Sequence, residues 1–152
     1  MLPITAFLIY SVVSPFVWNS NLFGRILPDY FQIDCNLGFP AAVMEMLLQE
    51  ENGILYPLPA LPEKWEKGRI RGMLCRGGHS MDLEWEKRRI SMIQFCANYA
   101  GMVKISIPSE IKTVEAYSCQ GVLKDGFLEL ECKEDGVYRL RFTKSMISIT
   151  RL

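Results

Sequence analysis

In the last part of this chain, apolar residues recur at every second position. Met81, Leu83 and Trp85 alternate with Asp82, Glu84 and Glu86; Val103, Ile105 and Ile107 alternate with Lys104 and Ser106; Tyr138, Leu140 and Phe142 alternate with Arg139 and Arg141. A period of two sends successive side chains to opposite faces, so these segments predict half-buried antiparallel strands. Lys124-Asp125-Gly126 and Glu134-Asp135-Gly136 supply turn residues between them. Six to eight short strands at this spacing predict a β-sandwich, with Leu83, Trp85, Ile105, Leu130, Leu140 and Phe142 in its core.

The residues before this region have a different pattern. Pro40 suits the first position of a helix, where its missing N–H does no harm, and Gly53 suits a left-handed position just past the end. Between them Val43, Met46 and Leu47 form one stripe, while Met44 and Leu48 lie on another side. A helix apolar over so much of its circumference needs neighbours on several sides. Unless residues 1–20 fold over it, Met44, Leu48 or their neighbours are expected to stay exposed and to drive self-association or binding. The proline-punctuated run Leu55–Pro62 reads as a linker or an edge strand, because each proline removes a ladder donor. The boundary between the two parts falls near Gly53, giving units 1–52 and 53–152.

Composition excludes several function classes. At 152 residues, 49% of them hydrophobic, the chain is globular and has room for one domain, or for a smaller domain and a remnant. Its 17 basic and 17 acidic residues cancel and form no basic run, so there is no electrostatic footprint for nucleic acid. The five cysteines form no CxxC pair and His79 is the only histidine, so no zinc site is expected and no cofactor is implied. Buried free thiols fit a reducing, cytoplasmic setting better than a secreted or periplasmic one. Leu2–Trp18 is apolar but broken by Pro3 and Pro15, and is shorter than the ~20 residues a spanning helix needs, so no membrane span is expected. No charge precedes Arg25, against the positive start of an ordinary signal peptide; a cryptic leader and an internal start remain alternatives.

The candidate chemistry centres on Phe31-Gln32-Ile33-Asp34-Cys35-Asn36-Leu37-Gly38. Asp34 is a carboxylate among apolar neighbours in a short turn opening a helix. Such an acid is tolerated where it has partners or a task, either as a helix cap or as a catalytic group. Asn36 is a candidate substrate-binding residue or a local turn former. Asp82 and Glu84, at i and i+2, share one strand face and read as solvated acids. His79 follows Gly77-Gly78 and reads as a turn residue. Trp65 and Trp85 could be stacking platforms for a ligand, but fit better as a plug fixing the linker and as a core residue.

The runs FQIDCNLGFPAAVMEMLLQ, LYPLPALPEKWEKGRIRGMLCRGG and DLEW resemble, in order and spacing, the C-terminal part of glycoside hydrolase family 95, the inverting α-L-fucosidases. The likeness runs from about Asn21 to Trp85 and continues loosely to the end. It implies a mainly β fold: an antiparallel β-sandwich over 53–152, preceded by one or two helices left from an (α/α)6 barrel within 1–52. It implies that Asp34 is the catalytic aspartate on which water-activating asparagines lean, with a glutamate as general acid. That division of labour suits inversion, where two groups work on opposite faces of the sugar. The family's glutamate and asparagines align with no part of this sequence. Cys35 stands where the family carries glycine, and Leu37 where it carries phenylalanine.

The resemblance implies hydrolysis of α-L-fucosidic bonds by the full-length family, with a fucosylated glycan as partner, and inactivity of this chain alone. Two other classes remain open: a carbohydrate-binding β-sandwich, which a row of exposed aromatics would favour, and a structural module docking to another chain such as the missing barrel segment.

Overall fold

The computed structural model describes the backbone of residues 33–152 and side chains from Gly38 onward. The apolar segment Leu2–Trp18 lies outside the described residues. A helix α1 (Ile33–Leu47) leads into eleven strands: β1 (Leu48–Glu51), β2 (Ile54–Pro57), β3 (Lys67–Leu74), β4 (Ser80–Glu86), β5 (Arg89–Cys96), β6 (Gly101–Ser106), β7 (Thr113–Tyr117), β8 (Gln120–Lys124), β9 (Phe127–Cys132), β10 (Val137–Phe142) and β11 (Met146–Arg151). They form a five-stranded sheet, β1-β2-β6-β9-β8, and a six-stranded sheet, β3-β4-β5-β10-β11-β7. The fold is the mainly β sandwich that the alternation predicts. It has more strands than the six to eight expected, and two of its pairings, β2 with β6 and β7 with β11, are parallel. Among the described residues no helix is long and apolar enough to cross a membrane.

The inward set of the alternation fills the space between the sheets. Met81, Leu83, Ile93, Phe95, Ile105, Leu128, Leu130, Leu140 and Ile149 are fully buried, and Trp85 nearly so. Phe142, expected with them, is only half-buried. It closes β10 and packs against the core from the strand's end. The sheets approach closely at Gly121 on β8, where an added Cβ would lie 2.7 Å from Ile149 Cδ1 on β11.

The helix differs from its expected limits. It begins before Pro40, which lies inside it, and ends at Leu47. Pro40 has no N–H to return to the Asn36 carbonyl, so the first two turns lack a bond that other residues would make. Leu48–Glu51, expected to continue the helix, instead pairs with β2 from Leu48↔Pro57 to Glu51↔Ile54. Asn52 and Gly53 between them have φ 52° and 75°. Two left-handed residues in a two-residue loop make a type I′ turn, whose twist matches the flanking strands. Gly53 does take the left-handed conformation, but in a hairpin and not in a helix cap. Met44 and Leu48, expected to stay exposed, are half-buried against the sandwich core with Val43.

Candidate functional site

The site has to be built around α1, because Asp34 and Asn36 both fall in its first turns. Asp34 therefore belongs to the helix itself and not to a turn ahead of it. Their side chains lie outside the described ones. What the structure describes fully is the mount at the other end of the helix.

An α-helix ends with carbonyls that have no intrahelical partner. Here they are met by the proline-rich run. The Leu58 N–H donates to the Leu47 carbonyl at 2.8 Å and the Ala60 N–H donates to the Met46 carbonyl at 3.3 Å. Leu58 reaches this position with φ 53°, a left-handed turn that brings the chain back from β2 across the helix end. Leu47 is buried, and Leu58 and Leu61 pack against the same core. The prolines thus flank residues whose N–H groups have a specific use. They limit the strap's freedom without removing the donors that hold the helix.

The strap is fixed in turn by the residues that follow. Arg88 donates its N–H to the Glu66 carbonyl at 2.9 Å and its Nη2 to the Leu61 carbonyl at 3.3 Å. The Trp85 indole Nε1–H donates to the Trp65 carbonyl at 2.9 Å. Gly68 makes this possible: a Cβ there would stand 2.3 Å from the Trp85 ring, so only a bare backbone lets the indole lie across β3. Trp85 is the core residue expected. Trp65, at 37% exposure, contributes its backbone more than a buried plug would. The run from Trp65 to Gly68 and Trp85 thus form one device.

Arg76-Gly77-Gly78 forms a tight turn beside the hairpin, with Gly77 and Gly78 left-handed at φ 77° and 76°. Its Arg76 N–H donates to Glu50 Oε2 at 2.8 Å, linking β1 to this turn. His79 closes it. The His79 ring accepts the Asn98 N–H at Nδ1, 3.0 Å, and lies 5.3 Å from the Phe95 ring and 6.3 Å from Tyr99. An Nδ1 that accepts places the proton of the neutral ring on Nε2, so His79 is held as a turn-closing residue.

Cys75 is pushed up to about 11 by burial first and by Glu50 second, and Cys132 to about 12 by burial first and by Cys119 second. These are inert thiols. Cys75, Cys96, Cys119 and Cys132 are all free. Among the described residues no group of three or more His, Cys, Asp or Glu could hold a metal ion. Among the described residues, the exposed aromatics Trp65, Tyr99 and Tyr117 lie apart, on a linker, a β5–β6 loop and the end of β7. Asp82 and Glu84 share an outer sheet face as expected, but they are half-buried in a groove. Sequence reasoning missed the strap's N–H groups. The recurring Leu-Pro spacing was the available signal.

Residues 49–140 match the family description "Glycoside hydrolase family 95, C-terminal domain", and the chain belongs to that family. It is similar to Alpha-L-fucosidase 2 of Arabidopsis thaliana, 49% identical over 67 residues, which is 43% of this chain and 8% of that protein. It is also similar to Probable alpha-fucosidase A of Aspergillus oryzae, 33% identical over 66 residues, 37% of this chain and 9% of that protein. The matched region spans less than a tenth of the length of either relative.

Proposed function

We propose that this chain is the C-terminal part of an α-L-fucosidase-type glycoside hydrolase, in which the β-sandwich mounts the helix that carries Asp34. The single observation behind this reading is the strap: Leu58 and Ala60 bond to the last carbonyls of α1, while Leu47 sits in the sandwich core. A helix held at its C-terminal end by two backbone bonds and a buried leucine presents its first turn at a fixed distance. Leu47 is thirteen residues beyond Asp34, about 20 Å along a helix. Positional control of that kind is what general acid–base chemistry needs, because a misplacement of about 1 Å can lower the rate about a hundredfold.

In this reading Asp34 orients the groups that activate water, Asn36 faces the sugar, and the substrate is a fucosylated glycan. We take the seam between the barrel remnant and the sandwich at Leu47–Leu48, a few residues before the expected Gly53, because β1 pairs with β2 in the sheet. Taken alone, the 152-residue chain does not turn over substrate, because inversion requires two groups on opposite faces of the ring. Incubation with 4-nitrophenyl α-L-fucoside is expected to release no nitrophenol. In a longer protein containing this segment, Asp34→Asn is expected to lower kcat by about 10²–10⁴-fold. Turnover by the isolated chain, or full activity of the Asp34→Asn protein, refutes the reading.

A further inference from the structure

The outer face of the six-stranded sheet carries a groove of about 660 Å³ over β4, β5 and β10. That volume lies within the usual range of a small-molecule site. Its lining follows from the strand order. Asp82 stands opposite Gln94, and Gln94 opposite Arg139; one rung along, Glu84 stands opposite Met92, and Met92 opposite Arg141. The two rungs therefore place a carboxylate column and a guanidinium column on either side of β5, about 10 Å apart across two strand spacings. Asp82, Glu84, Gln94 and Arg139 are half-buried.

The groove is partly organised and partly unsatisfied. Arg139 Nη2 donates to Gln94 Oε1 at 2.8 Å, which fixes the guanidinium plane. Its Nε–H is buried and has no partner, although buried donors are normally bonded. Asp82 Oδ1 accepts the Gly72 N–H at 2.9 Å, which fixes the opposite wall. Arg71 and Arg141 add two further guanidiniums.

The chemistry of the lining selects among ligands. Asp82 and Glu84 repel an anion. The three arginines repel a cation. A protein partner would meet charged groups where the centre of an interface is ordinarily depleted of charge. A neutral ligand carrying many hydroxyls and long enough to span β5 satisfies both columns, some hydroxyls accepting from the guanidiniums on one edge and others donating to the carboxylates on the other. We propose that this groove binds a neutral oligosaccharide, with Arg139 and Arg141 on one edge and Asp82 and Glu84 on the other. The assignment rests on the β-domain's own side chains and not on the role given to Asp34.

The test is a titration of the full 152-residue chain with the neutral trisaccharide 2′-fucosyllactose, followed by NMR of the arginine Nε–H and glutamine amide signals. Shifts of the Arg139 Nε–H and the Gln94 side-chain amide are expected. Arg141→Ala, at an exposed position, and Glu84→Gln should each weaken binding about tenfold, the effect of losing one charge-assisted contact. Unchanged signals at tens of millimolar sugar would overturn the proposal. So would binding that neither substitution alters, or a stronger response to sodium sulfate than to sugar, which would mark an anion site. Thermal unfolding of each variant shows that it is folded, and either variant alone suffices.

Discussion

The sandwich interior and the junction that holds α1 lie a few residues apart but are held by different forces. Between the sheets, Leu83, Ile93, Leu140 and Ile149 have no exposed surface. Their contribution is apolar area removed from water, about 25 cal/mol per Å². At the junction Leu47 is buried but Val43, Met44 and Leu48 are only half-buried, and the specific polar contacts are single hydrogen bonds: Leu58 to Leu47, Ala60 to Met46, Trp85 to Trp65. A typical bond of this kind contributes about 0.5–1.5 kcal/mol net. The interior therefore determines whether the chain folds. The junction determines where the helix points, at little net gain in stability.

The largest expected effect is in the interior. Leu140→Ala, at a fully buried position on the central strand β10, should lower unfolding free energy by about 2–5 kcal/mol. Leu58→Ala truncates a partly buried side chain while keeping the N–H that caps the helix, and should cost less than half as much. Chemical denaturation of both variants checks the ranking. Equal losses would mean that the junction is part of the same cooperative core.

Two of the close-approach glycines sharpen the contrast. At Gly68 a new Cβ would meet the Trp85 ring at 2.3 Å, and the ring is tied to the Trp65 carbonyl. At Gly121 it would meet only the terminal methyl of Ile149 at 2.7 Å, which a change of rotamer can move. Gly68→Ala should therefore destabilise by about 1–3 kcal/mol and shift Trp fluorescence. Gly121→Ala should fall at the lower end of that range and leave fluorescence unchanged.

Much of the interior was legible in the sequence, and less of the junction was. Alternation in Met81–Glu86, Val103–Ile107 and Tyr138–Phe142 identifies strands and their inward faces because burial acts on every second residue. Leu48–Glu51 falls within the helix that Pro40 and Gly53 bracket in the sequence, because Gly53 suits a helix C-cap as well as a hairpin turn. Pairing with Ile54–Pro57 through the Asn52-Gly53 turn selects the hairpin. The groove of Asp82, Gln94 and Arg139 could not be read because it depends on β10 lying beside β5, and alternation carries no strand order. Asp34 was legible as a candidate only through its motif. The residues that hold its helix act through backbone N–H groups, which leave almost no side-chain signature.

A smaller effect, of opposite sign, is expected at the β4–β5 turn. Lys87 and Arg88 both have left-handed φ, 51° and 61°, although neither is a residue that adopts it easily. Arg88 is held there by its bonds to Glu66 and Leu61, whereas no such bond fixes Lys87. Lys87→Gly should stabilise the chain by a few tenths of a kcal/mol, the relief of φ offset by the greater freedom of the unfolded chain. Arg88→Gly should not, because it removes the guanidinium that holds the strap. A gain at both positions would show that the Arg88 guanidinium contact to Leu61 contributes less than the relief of φ.

The smallest effect is electrostatic and belongs to the outer face of the five-stranded sheet. Lys104 Nζ lies 2.9 Å from Glu129 Oε1 across the β6–β9 pair. The hydrogen bond from Lys104, and then its charge, hold the Glu129 carboxyl below the ordinary carboxylate range. A lowered folded-state pKa means that the unfolded chain binds a proton more readily. The stabilisation is therefore present above the usual glutamate value, roughly 4.3, and is lost as pH falls through the lower folded value. The pair is solvent-screened, so its contribution is slight and should fade in salt. Lys104→Gln should leave the unfolding midpoint at pH 7 nearly unchanged and flatten its decline below pH 4.5. If the decline stays as steep, other carboxylates govern acid unfolding and this cross-strand pair is only a surface contact.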